Sequence, residues 1–212
     1  MSQLTVLRAA NYAAMPWKNG GGSTEEIARD AGVGLDGFGW RLSIADIEAS
    51  GGFSRFSGYQ RIITVLQGAG MTLNIDGTHS EPLLPGDPFA FSGDSQVGCD
   101  LLDGAIRDFN LIYAPNRYRA SLLWVDVLKP QRLFSSATTL LLFSAAEQMA
   151  ANLAEHPPQL LEKHDCLQLD NPTGQLLEVV LYAPRASRCC LIELNTILSE
   201  RTSTARPRWR SD

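Results

Sequence analysis

Hydrophobic and polar residues alternate through much of the chain, mostly with a period of two. Trp40, Leu42 and Ile44 share one side of an extended segment, and Arg41, Ser43 and Ala45 share the other. That pattern predicts a half-buried strand over residues 40–47. Two apolar runs, at 62–66 and 71–75, are separated by Gly68-Ala69-Gly70 and closed by Asp76-Gly77, the strongest hairpin signal in the chain. Pro85-Gly86-Asp87-Pro88 marks another turn, and strands are expected over 98–102 and 106–113. A first strand is expected over 4–7. After Ala114-Pro115-Asn116 the grammar repeats, with strands over 122–128, 139–144, 166–169, 176–182 and 189–194. Short strands at turn-punctuated intervals predict an all-β sandwich or barrel.

Two stretches read both ways. In residues 144–155, Ser144 and Glu147 have capping-box spacing and alanines abound, which favours a helix. A counterpart to the Gly68 hairpin would instead make the stretch two strands. Ser23 and Glu26 have the same capping spacing, but the apolar positions after Ile27 and Ala28 are too few to sustain a helix, so this segment reads as extended. The glycines just before it, Gly20, Gly21 and Gly22, suit positive φ or close backbone approach. They form an ordinary turn or a loop over a pocket mouth, with Trp17 and Lys18 leading into it. A phosphate loop is excluded because no Gly-Lys-Ser/Thr follows.

Composition narrows the partners. The chain has 212 residues, 44% of them hydrophobic, enough to bury the core of one large domain or two small fused ones. A net charge of −5 leaves no electrostatic footprint for nucleic acid or anionic lipid. Met1-Ser2-Gln3-Leu4-Thr5-Val6 lacks the basic start and apolar run of a signal peptide, and no apolar run approaches the roughly 20 residues that span a bilayer. A cytoplasmic protein without membrane contact is expected. Cys99, Cys166, Cys189 and Cys190 form no Cys-x-x-Cys pair. Neighbours on a strand point to opposite faces, so Cys189 and Cys190 are read as reduced, buried thiols.

The candidate chemistry is sparse. His79, His156 and His164 form no His-x-His pair and fall outside the predicted barrel wall, so no metal and no other cofactor is expected. There is no Gly-x-Ser-x-Gly nucleophile elbow. The polar residues of the strands say more. Asp108 and Asn110 share a face with Ile106 and Ile112, while Phe109, Leu111 and Tyr113 take the other. Arg61 shares parity with Ile63 and Val65. Either the polar faces meet solvent, as in an ordinary half-buried sheet, or the apolar faces pack outward and the polar faces line a lumen. A lumen of that kind, mixed and with few polar anchors, has the lining of a small-molecule pocket.

Five motifs in order carry a family resemblance: Met15-Pro16-Trp17-Lys18-Asn19-Gly20-Gly21-Gly22-Ser23-Thr24-Glu25-Glu26-Ile27, Trp40-Arg41-Leu42-Ser43-Ile44-Ala45, Phe53-Ser54 with Gly58-Tyr59-Gln60-Arg61, Phe91-Ser92-Gly93-Asp94, and Asp108-Phe109-Asn110-Leu111. Together they resemble the HutD/Ves family, and HutD most closely, most densely over 15–113. The resemblance implies an all-β, cupin-like (RmlC-like) double β-barrel, or bicupin, with a degenerate second barrel. Residues 1–198 would form the bicupin unit, with barrels at roughly 15–113 and 119–197, ahead of a polar tail at 199–212. It also implies that 144–155 is extended or irregular, and that Tyr59-Gln60-Arg61 stands where many cupins place metal histidines.

HutD proteins are associated with histidine utilisation and are thought to sense a pathway metabolite, with urocanate and N-formylglutamate as the natural candidates. On that footing Arg61, Arg41 and Lys18 are expected to meet a ligand carboxylate, since arginine's planar fork suits one. Ser43, Asp108 and Asn110 would line the same site, with Asp108 and Asn110 orienting the ligand or the arginines. Trp17 and Asn19 would close the mouth. Two alternatives stand beside this one: a metal-independent isomerase, lyase or hydrolase with Asp108 as general base, and a dimeric interaction module with a vestigial pocket. Cupin-like proteins are often dimeric, so a homodimer is expected.

Overall fold

A computed structural model describes residues 2–17, 20–30, 37–153 and 156–197. The predicted tail and two expected site residues, Lys18 and Asn19, lie outside them. In chain order the strands are β1 (Gln3–Leu7), β2 (Ala14–Pro16), β3 (Gly22–Arg29), β4 (Trp40–Ile47), β5 (Gly51–Gly52), β6 (Gln60–Gln67), β7 (Met71–Ile75), β8 (Thr78–His79), β9 (Pro88–Ser92) and β10 (Val97–Leu101). They continue with β11 (Ile106–Tyr113), β12 (Tyr118–Val127), β13 (Gln131–Ser135), β14 (Thr139–Ser144), β15 (Gln148–Leu153), β16 (Gln159–Glu162), β17 (Cys166–Asp170), β18 (Leu177–Tyr182) and β19 (Ser187–Thr196). One 3₁₀ turn at Ala9–Asn11 is the helical content among the described residues, and none of it could cross a membrane as a helix.

The strands form four antiparallel sheets. In the first unit, the six-stranded sheet β2-β3-β4-β11-β6-β9 faces the four-stranded sheet β5-β10-β7-β8. In the second, β1-β17-β14-β19-β12 faces β13-β18-β15-β16. Each unit is thus a pair of facing sheets, without a ladder of hydrogen bonds running continuously round a closed barrel among the described residues. The N-terminal strand β1 pairs with β17 and so joins the second unit's sheet, tying the start of the chain to its far half.

Parity sorts the core into three layers. Ile47, Ile63, Val65, Met71, Leu73, Val97 and Cys99 fill one end of the first unit. Leu140, Leu142, Met149, Leu153, Leu167, Val179 and Leu181 fill the second. Between the units, Trp40, Leu42, Ile44, Phe109 and Leu111 on the outer face of the first meet Leu141, Phe143, Cys190 and Ile192 on the second. The apolar face of the first unit's large sheet therefore packs outward, which frees its other face to be polar. Cys189 and Cys190 do point to opposite layers, one inside the second unit and the other between the units.

Among the described residues, neither ambiguous stretch forms a helix. Residues 148–153 form β15, paired with β16 and β18. Helix propensity loses there because Met149, Ala151 and Leu153 alternate into the second unit's core. The Ser144 hydroxyl bonds within a tight turn to Ala146 instead of capping a helix. Ser23 and Glu26 lie on β3, which bulges between Glu26 and Ala28.

Candidate functional site

The register of the first unit's central strands stacks the predicted residues into rungs. Ile112 lies opposite Arg41 on β4 and Arg61 on β6. Asn110 lies between Ser43 and Ile63, and Asp108 between Ala45 and Val65. Residues directly opposite share a face, so the three rungs form one wall: two cations at one end, an amide and a hydroxyl in the middle, and a carboxyl beyond them. The next rung, Ile106 against Ile47, closes the wall with apolar side chains.

This wall bounds a cavity of about 470 Å³ lined by Arg41, Ser43, Arg61, Asp108 and Asn110, with Trp17 and Thr24 on one side and Phe53, Ser54 and Phe56 on another. The structure thus brings together six of the eight residues expected from the sequence. Trp17 sits at the end of β2, where its indole N–H donates to Thr24 Oγ1 at 2.8 Å. Gly22 lets β3 start against β4 beside it: a Cβ there would stand 2.1 Å from the Asp46 carbonyl oxygen. Gly20, at φ +73°, donates its backbone N–H to the Trp17 carbonyl and turns the chain between the two strands. The three glycines serve both an ordinary hairpin turn and the placement of Trp17 at the cavity.

Arg61 is the unusual member. It is only 4% exposed, yet among the described residues it makes no ion pair within 4 Å. Its Nη1 donates to the Ser54 carbonyl at 3.2 Å, and its Nε has no partner. Three aromatic rings hold the guanidinium, with centroids at 5.2 Å (Phe53), 5.5 Å (Phe56) and 4.9 Å (Phe91). Ring faces attract a cation and exclude water. Burial lowers the Arg61 pKa to about 10, opposed by Asp108 and assisted by Arg41. Asp108 is 1% exposed and its Oδ1 is unpartnered. Burial pushes it up to about 7, against the pull of Arg61 and of the Ala45 backbone N–H. Asn110 Oδ1 is buried without a partner too.

Arg41 differs: its Nε pairs with Glu26 Oε2 at 3.0 Å, and Glu26 also reaches Arg29 at 3.4 Å. Arg41 therefore enters the wall already neutralised. Sequence reasoning missed Glu26, whose capping spacing disguised it, and the aromatic cage. Phe53 and Phe56, set in a Gly/Ser-rich turn, were the available signal, since that setting gives them no strand face to fill.

None of the three histidines lines this cavity. His79 lies on β8, His156 contacts Ser2, and His164 stacks on Phe143. Among the described residues, the second unit's core cluster is apolar. Its neighbouring strands β14 and β17 contribute Leu140, Leu142, Leu167 and Leu169 to an apolar interior.

A HutD family model matches residues 9–189. An uncharacterized 21.2 kDa protein from the hutC 3′ region of Pseudomonas putida is 63% identical over 195 residues, covering 92% of this chain and 98% of its own. The solved structure of HutD from Pseudomonas fluorescens superposes with a TM-score of 0.81 at 57% identity, over 92% of this chain and all of that one. A cupin 2 conserved barrel domain protein from Leptotrichia buccalis shares the fold at 10% identity, with a TM-score of 0.54 over 81% of this chain and 88% of its own.

Proposed function

The chain belongs to the HutD family, and on that premise we propose that it is a metal-free cupin-like protein whose first-unit lumen binds a small carboxylate metabolite and modulates histidine utilisation. The observation that carries this reading is Arg61: a buried cation with no ion-pair partner within 4 Å among the described residues, opening onto a cavity of about 470 Å³. Small-molecule sites run from about 300 to 1,000 Å³. Buried polar atoms without partners cost free energy until something satisfies them. A ligand carboxylate would give the guanidinium its missing bidentate partner, and polar groups further along it would reach Asn110 and Asp108. Urocanate and N-formylglutamate, both carboxylates of histidine breakdown, are the candidates. Lys18 and Asn19 belong to the same proposal through their place in the motif beside Trp17.

Isothermal titration calorimetry with both compounds, on the wild type and on Arg61→Ala, tests it. Binding by the wild type that falls at least tenfold in the variant is expected. No binding by the wild type, or equal binding by the variant, contradicts the reading.

A second reading has its own support. Asp108, dry and held near pH 7, has the ionisation of a general base. Mass detection of turned-over pathway intermediates, lost in Asp108→Asn, would establish an enzyme; unchanged substrates after prolonged incubation would exclude that role for those compounds.

We also propose a homodimer. On the second unit, Phe134, Tyr182 and Leu160 are exposed on one outward sheet face, linked through the pairs Phe134–Glu178, Tyr182–Ala150 and Ala150–Leu160. Such a face suits a second copy. Light scattering at micromolar concentration should return twice the chain mass, and a monomer mass would contradict it.

A further inference from the structure

We infer that the lumen takes up its carboxylate together with one proton, Asp108 becoming the neutral acid as the anion docks beside Arg61. The inference rests on the carboxylate reading of the site and concerns its charge balance. Without ligand the wall is neutral as a set: Arg41 and Arg61 face Glu26 and Asp108. Glu26 is committed to Arg41 and Arg29 by ion pairs at 3.0 and 3.4 Å. A bound ligand therefore adds at least one further anion to a space where, among the described residues, Arg61 is the remaining cation. An uncompensated buried charge is expensive, and a titratable neighbour neutralises instead.

Asp108 is the group placed to do so. It is fully buried, and among the described residues its Oδ1 has no hydrogen-bond partner and it forms no ion pair within 4 Å. The other charged or titratable groups around it offer no better route. Arg61 on β6, its pKa lowered only to about 10, stays cationic, and Arg41 on β4 is paired with Glu26. Asp46 on β4 couples to Asp108 with like charge and pairs with Arg107 at 3.5 Å. Cys99 on β10 is pushed up by burial and is already a neutral thiol. Asp108 itself stands near 7 before any ligand arrives. The proton comes from solvent, and the resulting O–H donates to the ligand or to a neighbouring acceptor such as Asn110 Oδ1.

The test is calorimetry with N-formyl-L-glutamate, which stays fully ionised at neutral pH, in buffers of low and high ionisation heat. The expected uptake is about half a proton per ligand at pH 7, rising toward one at pH 8, with affinity falling about fivefold between those values. Asp108→Asn should bind with the same heat in both buffers and with affinity independent of pH. Binding by the wild type with equal heats in both buffers overturns the inference and leaves the carboxylate reading standing. Uptake that persists in Asp108→Asn also overturns it. No binding heat at all overturns both. Infrared difference spectra of the wild type need no variant: a protonated-carboxyl band should grow on ligand addition, and its absence overturns the inference.

Discussion

Replacing Arg61 with Met removes the site's cation and leaves a side chain of similar length among the same rings. Loss of a large buried residue ordinarily destabilises a protein by several kcal/mol. Here the opposite is expected. Holding the guanidinium charged in this dry position lowers its pKa from 12.5 to about 10. Each tenfold change in ionisation is worth about 1.4 kcal/mol, so the charge costs on the order of 3 kcal/mol in the unliganded fold. Against that relief stand one hydrogen bond to the Ser54 carbonyl, worth about 1.5 kcal/mol at its 3.2 Å length, and the ring contacts. A methionine sulfur recovers part of the ring contacts, at about 0.3–1.5 kcal/mol. Breaking a buried pair is usually costly because a lone charge remains, but Asp108, near 7, can discharge by taking a proton. The balance is between zero and about 2 kcal/mol in favour of the variant. At roughly 2–4 °C per kcal/mol for a chain of this size, Arg61→Met should melt at the wild-type temperature or up to about 8 °C above it, at pH 7 without ligand. Saturating N-formylglutamate should then reverse the order, since only the wild type gains the linkage term of about 2.7 kcal/mol at a hundredfold excess over Kd. Differential scanning calorimetry with and without ligand reads both halves. A variant more than about 5 °C less stable without ligand would make Arg61 a structural keystone and refute the reasoning.

Other perturbations follow from the same geometry. Asp108 has a folded-state pKa of about 7 against 3.8 in model compounds, so the folded protein holds this proton more tightly. Wild-type stability should therefore fall relative to Asp108→Asn as pH rises from about 4 to 7, by on the order of 4 kcal/mol, and then level off; urea midpoints across that range check it, and parallel curves contradict it. Gly22→Ala places a methyl 2.1 Å from the Asp46 carbonyl oxygen and should cost about 1–3 kcal/mol while weakening carboxylate binding, through displacement of Trp17 from the mouth. Phe143→Ala empties a fully buried position between the units, where the ring meets Phe109 at 4.6 Å, and should cost about 3–5 kcal/mol in chemical denaturation; a loss under 1 kcal/mol would mean that the inter-unit layer contributes little.

Much of this was legible in the alternation of side chains. Asp108 and Asn110 share a face against Phe109 and Leu111, and that parity alone raised the possibility of a lumen. It could not choose between lumen and solvent, because the choice depends on what covers the apolar face. The cover is Leu141, Phe143, Cys190 and Ile192, all far downstream of β11. Residues 144–155 were ambiguous because alanine's helix propensity and the Met149-Ala151-Leu153 alternation point to different structures, and only the second unit's core decides between them. The neutralisation of Arg41 was hidden for another reason. Ser23 and Glu26 have cap spacing, but on a bulged strand Glu26 reaches across to β4. The aromatic cage joins a turn, Phe53 and Phe56, to Phe91 on β9, and no local pattern records that meeting. Among the described residues, Arg61 is therefore the site's arginine without an ion-pair partner, which makes it the centre of the account.

A crystal structure of the protein with N-formylglutamate at saturating concentration tests that claim most directly. A ligand carboxylate within about 3 Å of the Arg61 guanidinium nitrogens, with its remaining polar atoms toward Asn110 and Asp108, is the predicted result. The same ligand seated elsewhere on the protein, with Arg61 still facing an empty lumen, would contradict it.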